Sequence, residues 1–243
     1  MYGAIARAAA VEQTRLTGLH MESKTTMGSV SALAPKGVEQ RCPHILIENF
    51  LGGDAAEQMR RYAEEQRAGF KPATVYNRET RAERLNLESR QCLRCEGVGP
   101  FKATLKEAIA AILPSATTAL RILGQPGQDL EFEMCAYGDG AFITPHIDTS
   151  VAAPRRVLSC VYYFFADPPG FQGGLLRLFG WPNPVAPVAP GAPSPSVEIA
   201  PRRDGLVIFP STLQHEVTPV ACPSGAWRDY RLSVNCWVHR RAE

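Results

Sequence analysis

Histidine is scarce in this chain of 243 residues. There are five: His20, His44, His146, His215 and His239. Any imidazole-based metal or acid–base chemistry is confined to those positions. A surplus of one charge is also lacking. The 26 Lys+Arg against 24 Asp+Glu leave a formal net charge of +2. No general field therefore draws the chain to nucleic acid or to an anionic membrane surface. No apolar run approaches the roughly 18 residues that a membrane-spanning helix needs. The first ten residues lack the long apolar block of a secretory signal. The seven cysteines are odd in number and scattered, which excludes a full disulfide framework and makes a reducing cytoplasm the expected compartment. No internal repeat is present.

What is present is ordinary globular material, 45% hydrophobic and 21% charged. Residues 1–40 are polar and without helical or strand period, and read as a disordered tail. A single domain is expected over 41–243. Its first part, 41–129, holds a short strand at 44–50 and two helices. Asp54 is the expected cap of the first helix, with Glu57 as its capping-box partner. Phe101, Leu105, Ala108, Ile109 and Ile112 fall at helical spacing in the second. Between the helices, 71–99 is polar and Arg-rich, and reads as a functional loop or a marginal hairpin.

From residue 130 the texture changes. Short segments rich in Val, Ile, Tyr and Phe, parted by Gly, Pro and Asp, predict strands at 130–137, 142–148, 156–165, 174–179, 197–200, 205–209, 214–218 and 230–238. Helices followed by about eight strands predict an α+β fold, a jelly-roll double sheet braced by the N-terminal helices. Seven of the 20 prolines fall between Pro182 and Pro201. Proline lacks the amide donor, so 182–201 reads as a surface insertion and not a central strand.

His146 and Asp148 lie two residues apart at the end of a predicted strand, so imidazole and carboxylate project to one face. His215 lies in a later strand. Two histidines and one carboxylate on one side of a metal leave positions open, the ligand set of non-haem Fe(II) oxygenases. His-x-Asp alone is common and carries little weight without context. The last strand supplies context. Arg231, Ser233, Asn235 and Trp237 alternate there with Leu232, Val234, Cys236 and Val238. An arginine directed into a sheet sandwich needs an anion. Either a dicarboxylate cosubstrate bound bidentately or an internal Asp or Glu satisfies it.

From Glu131 to His239 the chain resembles the 2-oxoglutarate- and Fe(II)-dependent oxygenases, in their prolyl 4-hydroxylase-like branch. The matching pieces run in order: Met134 to Gly140, Pro145 to Thr149, Arg156 to Phe164, Gly173 to Phe179, Pro201 to Phe209, Gln214 to Val220 and Arg231 to Trp237. The resemblance implies a double-stranded β-helix. It implies Fe(II) at His146, Asp148 and His215, with 2-oxoglutarate as cosubstrate, O2 as oxidant and ascorbate as reductant. It also implies that Arg231 and Tyr163, with Ser233 beside them, hold the far carboxylate, that Tyr137 lines the iron pocket, and that Trp237 and Arg156 lie near iron and pocket mouth on the substrate side.

The implied reaction is hydroxylation of a C–H bond with 2-oxoglutarate converted to succinate. The implied substrate is a prolyl residue of a protein or peptide. A free amino acid or other small metabolite is the alternative, and a non-catalytic jelly-roll binding module is a further one. Nucleic-acid and membrane partners are not expected, and the oligomeric state is left open. The chain departs from the family pattern by a longer stretch between His215 and Arg231, which brings in Arg228 as a rival anchor, and by the proline-rich insertion. Cys92-x-x-Cys95 has no second pair for zinc and reads as a surface or buried thiol pair.

Overall fold

The computed structural model describes residues 42–77, 79–122, 126–149, 153–181 and 195–241. The predicted tail at 1–40 and most of the insertion lie outside them. In the first part of the chain, β1 (Ile45–Ile47) precedes helix α1 (Gly53–Glu65). Five short strands follow: β2 (Lys71–Pro72), β3 (Val75–Asn77), β4 (Ala82–Arg84), β5 (Arg90–Gln91) and β6 (Leu93–Glu96). Helix α2 (Lys102–Ala119) closes this part. The second part holds β7 (Pro126–Tyr137), β8 (Phe142–His146), β9 (Arg156–Tyr163), β10 (Gln172–Gly173), β11 (Leu176–Phe179), β12 (Ser196–Ile199), β13 (Leu206–Pro210), β14 (His215–Val217), β15 (Val220–Ala221) and β16 (Arg231–Arg240).

Two antiparallel sheets face each other, as a double-stranded β-helix requires. The larger has the order β1-β13-β9-β16-β7-β6-β2, the smaller β12-β11-β14-β8-β5. Strand β16 sits between β7 and β9 at the centre of the larger sheet, and Arg231, Leu232, Ser233 and Val234 are all buried there. The expected alternation explains this: one row of side chains enters the apolar core, the other the space between the sheets. Leu105, Ile109, Ile112, Leu113 and Ala116 form the buried stripe of α2, which packs against β7. Pro114 lies in this helix on its exposed side, where the carbonyl it leaves without an amide donor can be hydrated.

One expectation needs correction. Asp54 and Glu57 form no capping box: the cap position is Gly52, without a side-chain hydrogen bond, and Glu57 pairs with Arg60 and Arg61 instead. The end of α1 is served from afar, by the Asp204 carboxylate, which accepts from the amides of Leu51 and Gly52 at 2.9 Å each. The segment 71–99 is more structured than a loop. It extends both sheets and raises a β3–β4 hairpin, with Val75 opposite Arg84. The C-terminal end of the proline-rich stretch, Ser196–Ile199, is an edge strand on β11, because Pro195 and Pro201 flank it and none lies inside.

Candidate metal centre and cosubstrate pocket

Strands β8 and β14 are neighbours in the smaller sheet, with His146 directly opposite His215. Their rings stand 4.2 Å apart. Asp148 follows the end of β8, where its own amide donates to the Ser211 carbonyl at 3.0 Å and sets the carboxylate beside both rings. His146 Nε2 is 3.8 Å from one carboxylate oxygen and His215 Nε2 is 3.5 Å from the other. One donor atom from each of the three lies within 4.8 Å of the others.

The surroundings select the metal-binding form of each group. His146 Nδ1 donates to the Thr144 carbonyl and His215 Nδ1 to the Leu213 carbonyl, both at 2.9 Å. Each Nε2 is thereby left with its lone pair directed at the shared centre. Burial, then the neighbouring His215, pull His146 down to about 4, so it is neutral at physiological pH. Burial alone pushes Asp148 up, but the two imidazoles, the Ser159 hydroxyl and the Trp237 indole outweigh it and hold the group below the usual carboxylate range. Ser159 Oγ donates to Asp148 at 2.5 Å and meets Ser211 Oγ at 2.9 Å. Two imidazoles and a carboxylate fit a divalent iron ion with further positions open.

Across from this triad, on β16, Arg231 is 1% exposed. Its Nε donates to the Gly174 carbonyl at 2.9 Å. Nη2 lies 3.4 Å from the Tyr163 hydroxyl and Nη1 3.5 Å from Ser233 Oγ. The guanidinium also lies over the rings of Tyr137 and Tyr163, at 4.6 and 4.9 Å. No carboxylate pairs with it among the described residues. No described Asp or Glu, the alternative open from sequence, is therefore its partner. Arg228 is 78% exposed at its side chain and faces Asp229. Tyr162, the neighbour of Tyr163, points away and donates to Asp204 at 2.9 Å. Burial raises the phenols of Tyr137 and Tyr163, so both keep their protons.

A cavity of about 600 Å³ joins Arg231 and Tyr137 to the triad and opens toward the β3–β4 hairpin, which contributes Val75, Tyr76 and Glu83. Arg156 lines it, with Glu131 holding its guanidinium at 2.6 Å and the Trp237 ring beneath at 3.9 Å. The wall nearest the hairpin was missed in the sequence. Arg90 donates to Glu133 at 2.9 Å, and Arg94 bridges Glu133 at 3.1 Å and Glu83 at 2.9 Å. Burial pushes Glu133 up, but the two guanidinium groups hold it down. Its strand alternation marks Glu133 as inward-facing, yet its partners lie about 40 residues earlier, which no local pattern indicates. Cys92 and Cys95 are not a pair in space: the partner of Cys92 is Cys135 on β7, while the Cys95 sulfur faces the Glu96 carbonyl.

The match to known proteins coincides with this cavity. Residues 132–239 match the sequence model of the 2OG-Fe(II) oxygenase superfamily. The matched segment spans the strand core, from β7 into β16. An uncharacterised PKHD-type hydroxylase of Synechocystis sp. is 29% identical over 144 residues, 58% of this chain, and the match spans 46% of that relative's length. Among solved structures, a Pseudomonas putida prolyl-4-hydroxylase superposes with a TM-score of 0.56 at 24% identity, covering 84% of this chain and 96% of that one. A Trichoplax adhaerens prolyl hydroxylase, in complex with a hypoxia-inducible-factor peptide fragment, gives 0.55 at 17% identity, covering 83% and 85%. A viral collagen prolyl hydroxylase from Paramecium Bursaria Chlorella virus-1, in its 2OG complex, gives 0.51 at 15%, covering 84% and 100%. These structural likenesses establish the jelly-roll fold.

Proposed function

We propose that the protein is an Fe(II)- and 2-oxoglutarate-dependent hydroxylase whose target is a prolyl residue within a peptide or protein. One observation carries the cosubstrate reading: Arg231 is a buried cation without a carboxylate partner among the described residues, aimed into a cavity that holds a His-Asp-His triad. A buried charge in that state needs an anion from outside the chain. A small dicarboxylate can satisfy Arg231 at one end and reach the metal at the other. Bound together, Fe(II), 2-oxoglutarate and O2 supply the oxidising power that inserts oxygen into a C–H bond, with succinate and carbon dioxide as co-products.

The chain's own groups position and enclose. His146, Asp148 and His215 hold the metal. Arg231 and the Tyr163 hydroxyl hold the distal carboxylate, and Ser233 supports Arg231. Tyr137, kept protonated, donates into the pocket beside the metal. The sheet walls keep water from the reacting carbon.

The substrate reading is supported by how the cavity's charges are spent. Apart from Arg231 and the triad, every charged residue among the described cavity lining is paired: Arg90 with Glu133, Arg94 with Glu133 and Glu83, Arg156 with Glu131. A free amino acid brings both an ammonium and a carboxylate, and finds no free counter-charge here. A prolyl residue inside a chain brings neither. Tyr76 and Ile147 line the cavity and are 42% and 43% exposed, apolar contacts suited to flanking residues of a peptide. The Pseudomonas putida and Trichoplax adhaerens structures are named as prolyl hydroxylases, the latter with a peptide bound. Ascorbate as reductant and a cytoplasmic location belong to the same proposal. Seven free cysteines support the location.

The test is anaerobic binding of Fe(II) and 2-oxoglutarate, followed by succinate release against a panel of proline-containing peptides and free amino acids. Peptide-stimulated succinate is the expected result. Stimulation by a free amino acid alone would overturn the substrate reading. Succinate formation retained in both His146→Ala and Asp148→Ala would overturn the metal assignment.

A further inference from the structure

The wall that carries Arg90 and Glu133 hides two thiols that the proposed reaction does not use. Cys92 is the single residue between β5 and β6, where the chain crosses from the smaller sheet to the larger. It is 7% exposed, while Cys135 on β7 is fully buried. Arg90 Nε donates to the Cys92 sulfur at 3.2 Å. Its Nη2, bonded to Glu133, also lies 3.6 Å from the Cys135 sulfur. The Cys135 thiol sits between two acceptors, the Cys92 sulfur and Glu133 Oε1 at 3.4 Å, and Asn235 Nδ2 approaches its sulfur at 3.5 Å.

This is how a thiolate is held: a guanidinium on one side and a neighbouring S–H on the other. The Cys135 thiol, then Arg90, pull Cys92 below the usual thiol range against its burial. A thiol lowered in this way carries more thiolate at neutral pH than an ordinary cysteine does. The Cys135 sulfur lies against the same guanidinium edge as Cys92, and a reactive thiolate beside a resolving thiol is the arrangement that oxidises to a disulfide.

We propose that Cys92 and Cys135 form an oxidation site at which hydrogen peroxide converts the two thiols to a disulfide, and that this changes the cavity wall through Arg90. The Cys92 thiolate attacks the peroxide O–O bond and becomes a sulfenic acid. The leaving hydroxide takes a proton and is released as water. The Cys135 sulfur then attacks Cys92, the S–S bond forms, the S–O bond breaks, and the departing oxygen leaves as a second water with the Cys135 proton. The two sulfurs are oxidised and the peroxide is reduced to water. The product lacks the negative sulfur that Arg90 now faces, leaving Glu133 as the anion it holds. It also ties the β5–β6 crossover to β7. Arg90 lines the cavity and Arg231 does not touch this cluster, so oxidation is expected to alter the KM for the peptide and not that for 2-oxoglutarate. This last consequence rests on the proposed hydroxylase function; the oxidation chemistry does not.

The test uses the full metal-free chain. It is treated with hydrogen peroxide, free thiols are alkylated, and the peptides are mapped by mass spectrometry before and after dithiothreitol. The first cross-link should join Cys92 to Cys135 and vanish on reduction. In untreated protein at pH 7, Cys92 should alkylate about tenfold faster than Arg90→Gln protein allows, and its pH profile should move upward in that variant. Cys135→Ala should leave a sulfenic acid on Cys92 that dimedone traps. A first cross-link between Cys92 and Cys95, or a Cys92 that stays reduced while other thiols oxidise, overturns the proposal. The wild-type map decides this even where a variant does not fold. The readout needs neither iron nor 2-oxoglutarate, so it stands or falls apart from the hydroxylase reading.

Discussion

Gly174 is where a single methyl group should separate cosubstrate binding from metal binding. Its φ is +60°, and its carbonyl accepts from Arg231 Nε at 2.9 Å. A Cβ built there would stand 2.6 Å from Arg231 Cδ and 2.8 Å from Val220 Cγ2. Gly174→Ala therefore adds two costs. The left-handed backbone costs alanine roughly 1–2 kcal/mol. Displacing Arg231 breaks a charge-assisted hydrogen bond worth about 1.5–3 kcal/mol.

Gly225 isolates the first cost. Its φ is +58°, but nothing lies within 4 Å of a Cβ there. Each kcal/mol lowers Tm by about 2–4 °C in a chain of this size, so both variants should melt several degrees lower. Only Gly174→Ala should also bind 2-oxoglutarate about 10–100-fold more weakly, at about 1.4 kcal/mol per tenfold. Fe(II) affinity should be unchanged in both, because the triad stands on β8 and β14 of the other sheet. Anaerobic calorimetry with each ligand in turn reads all of this. Unaltered 2-oxoglutarate affinity in a folded Gly174→Ala protein, or an equal loss in Gly225→Ala, would refute the reasoning.

Other expectations follow from the same geometry. Arg231→Ala should raise the 2-oxoglutarate KM far more than Arg228→Ala, because the first is buried in the cavity and the second is on the surface; steady-state kinetics that rank them the other way would move the anchor. Ser159→Ala removes the 2.5 Å donor to Asp148 and should weaken Fe(II) binding by about 10–100-fold without unfolding the chain, which a metal titration with circular dichroism can check. The β3–β4 hairpin is latched to the cavity wall by Arg94 through Glu83. Peptide binding should therefore slow hydrogen exchange in Val75–Asn77 and Ala82–Arg84, and an unchanged exchange pattern would count against the hairpin as a substrate contact.

The site was legible where period-two alternation governs. Arg231 and Ser233 share a face of β16, and His146 precedes Asp148 by two positions, so their common direction follows from strand geometry alone. What escaped were the supporting groups whose partners come from distant segments. Asp148 is gripped by Ser159 from β9 and by Trp237 from β16. The end of α1 is served by Asp204, some 150 residues away, and not by the local Asp54. The Cys92-x-x-Cys95 spacing suggested a local pair, and sheet packing supplied Cys135 instead.

By itself, then, the sequence determined the strand-rich second half, the jelly-roll class, and the residue types able to hold iron and a dicarboxylate. Those follow from local periodicity and from side-chain chemistry. Only the tertiary structure decided which arginine is buried without a counter-charge and which charges along the cavity cancel one another. It alone brought a thiolate and a thiol behind the wall beside Arg90. The physical reason is that burial and pairing depend on contacts across sheets, which local pattern does not encode.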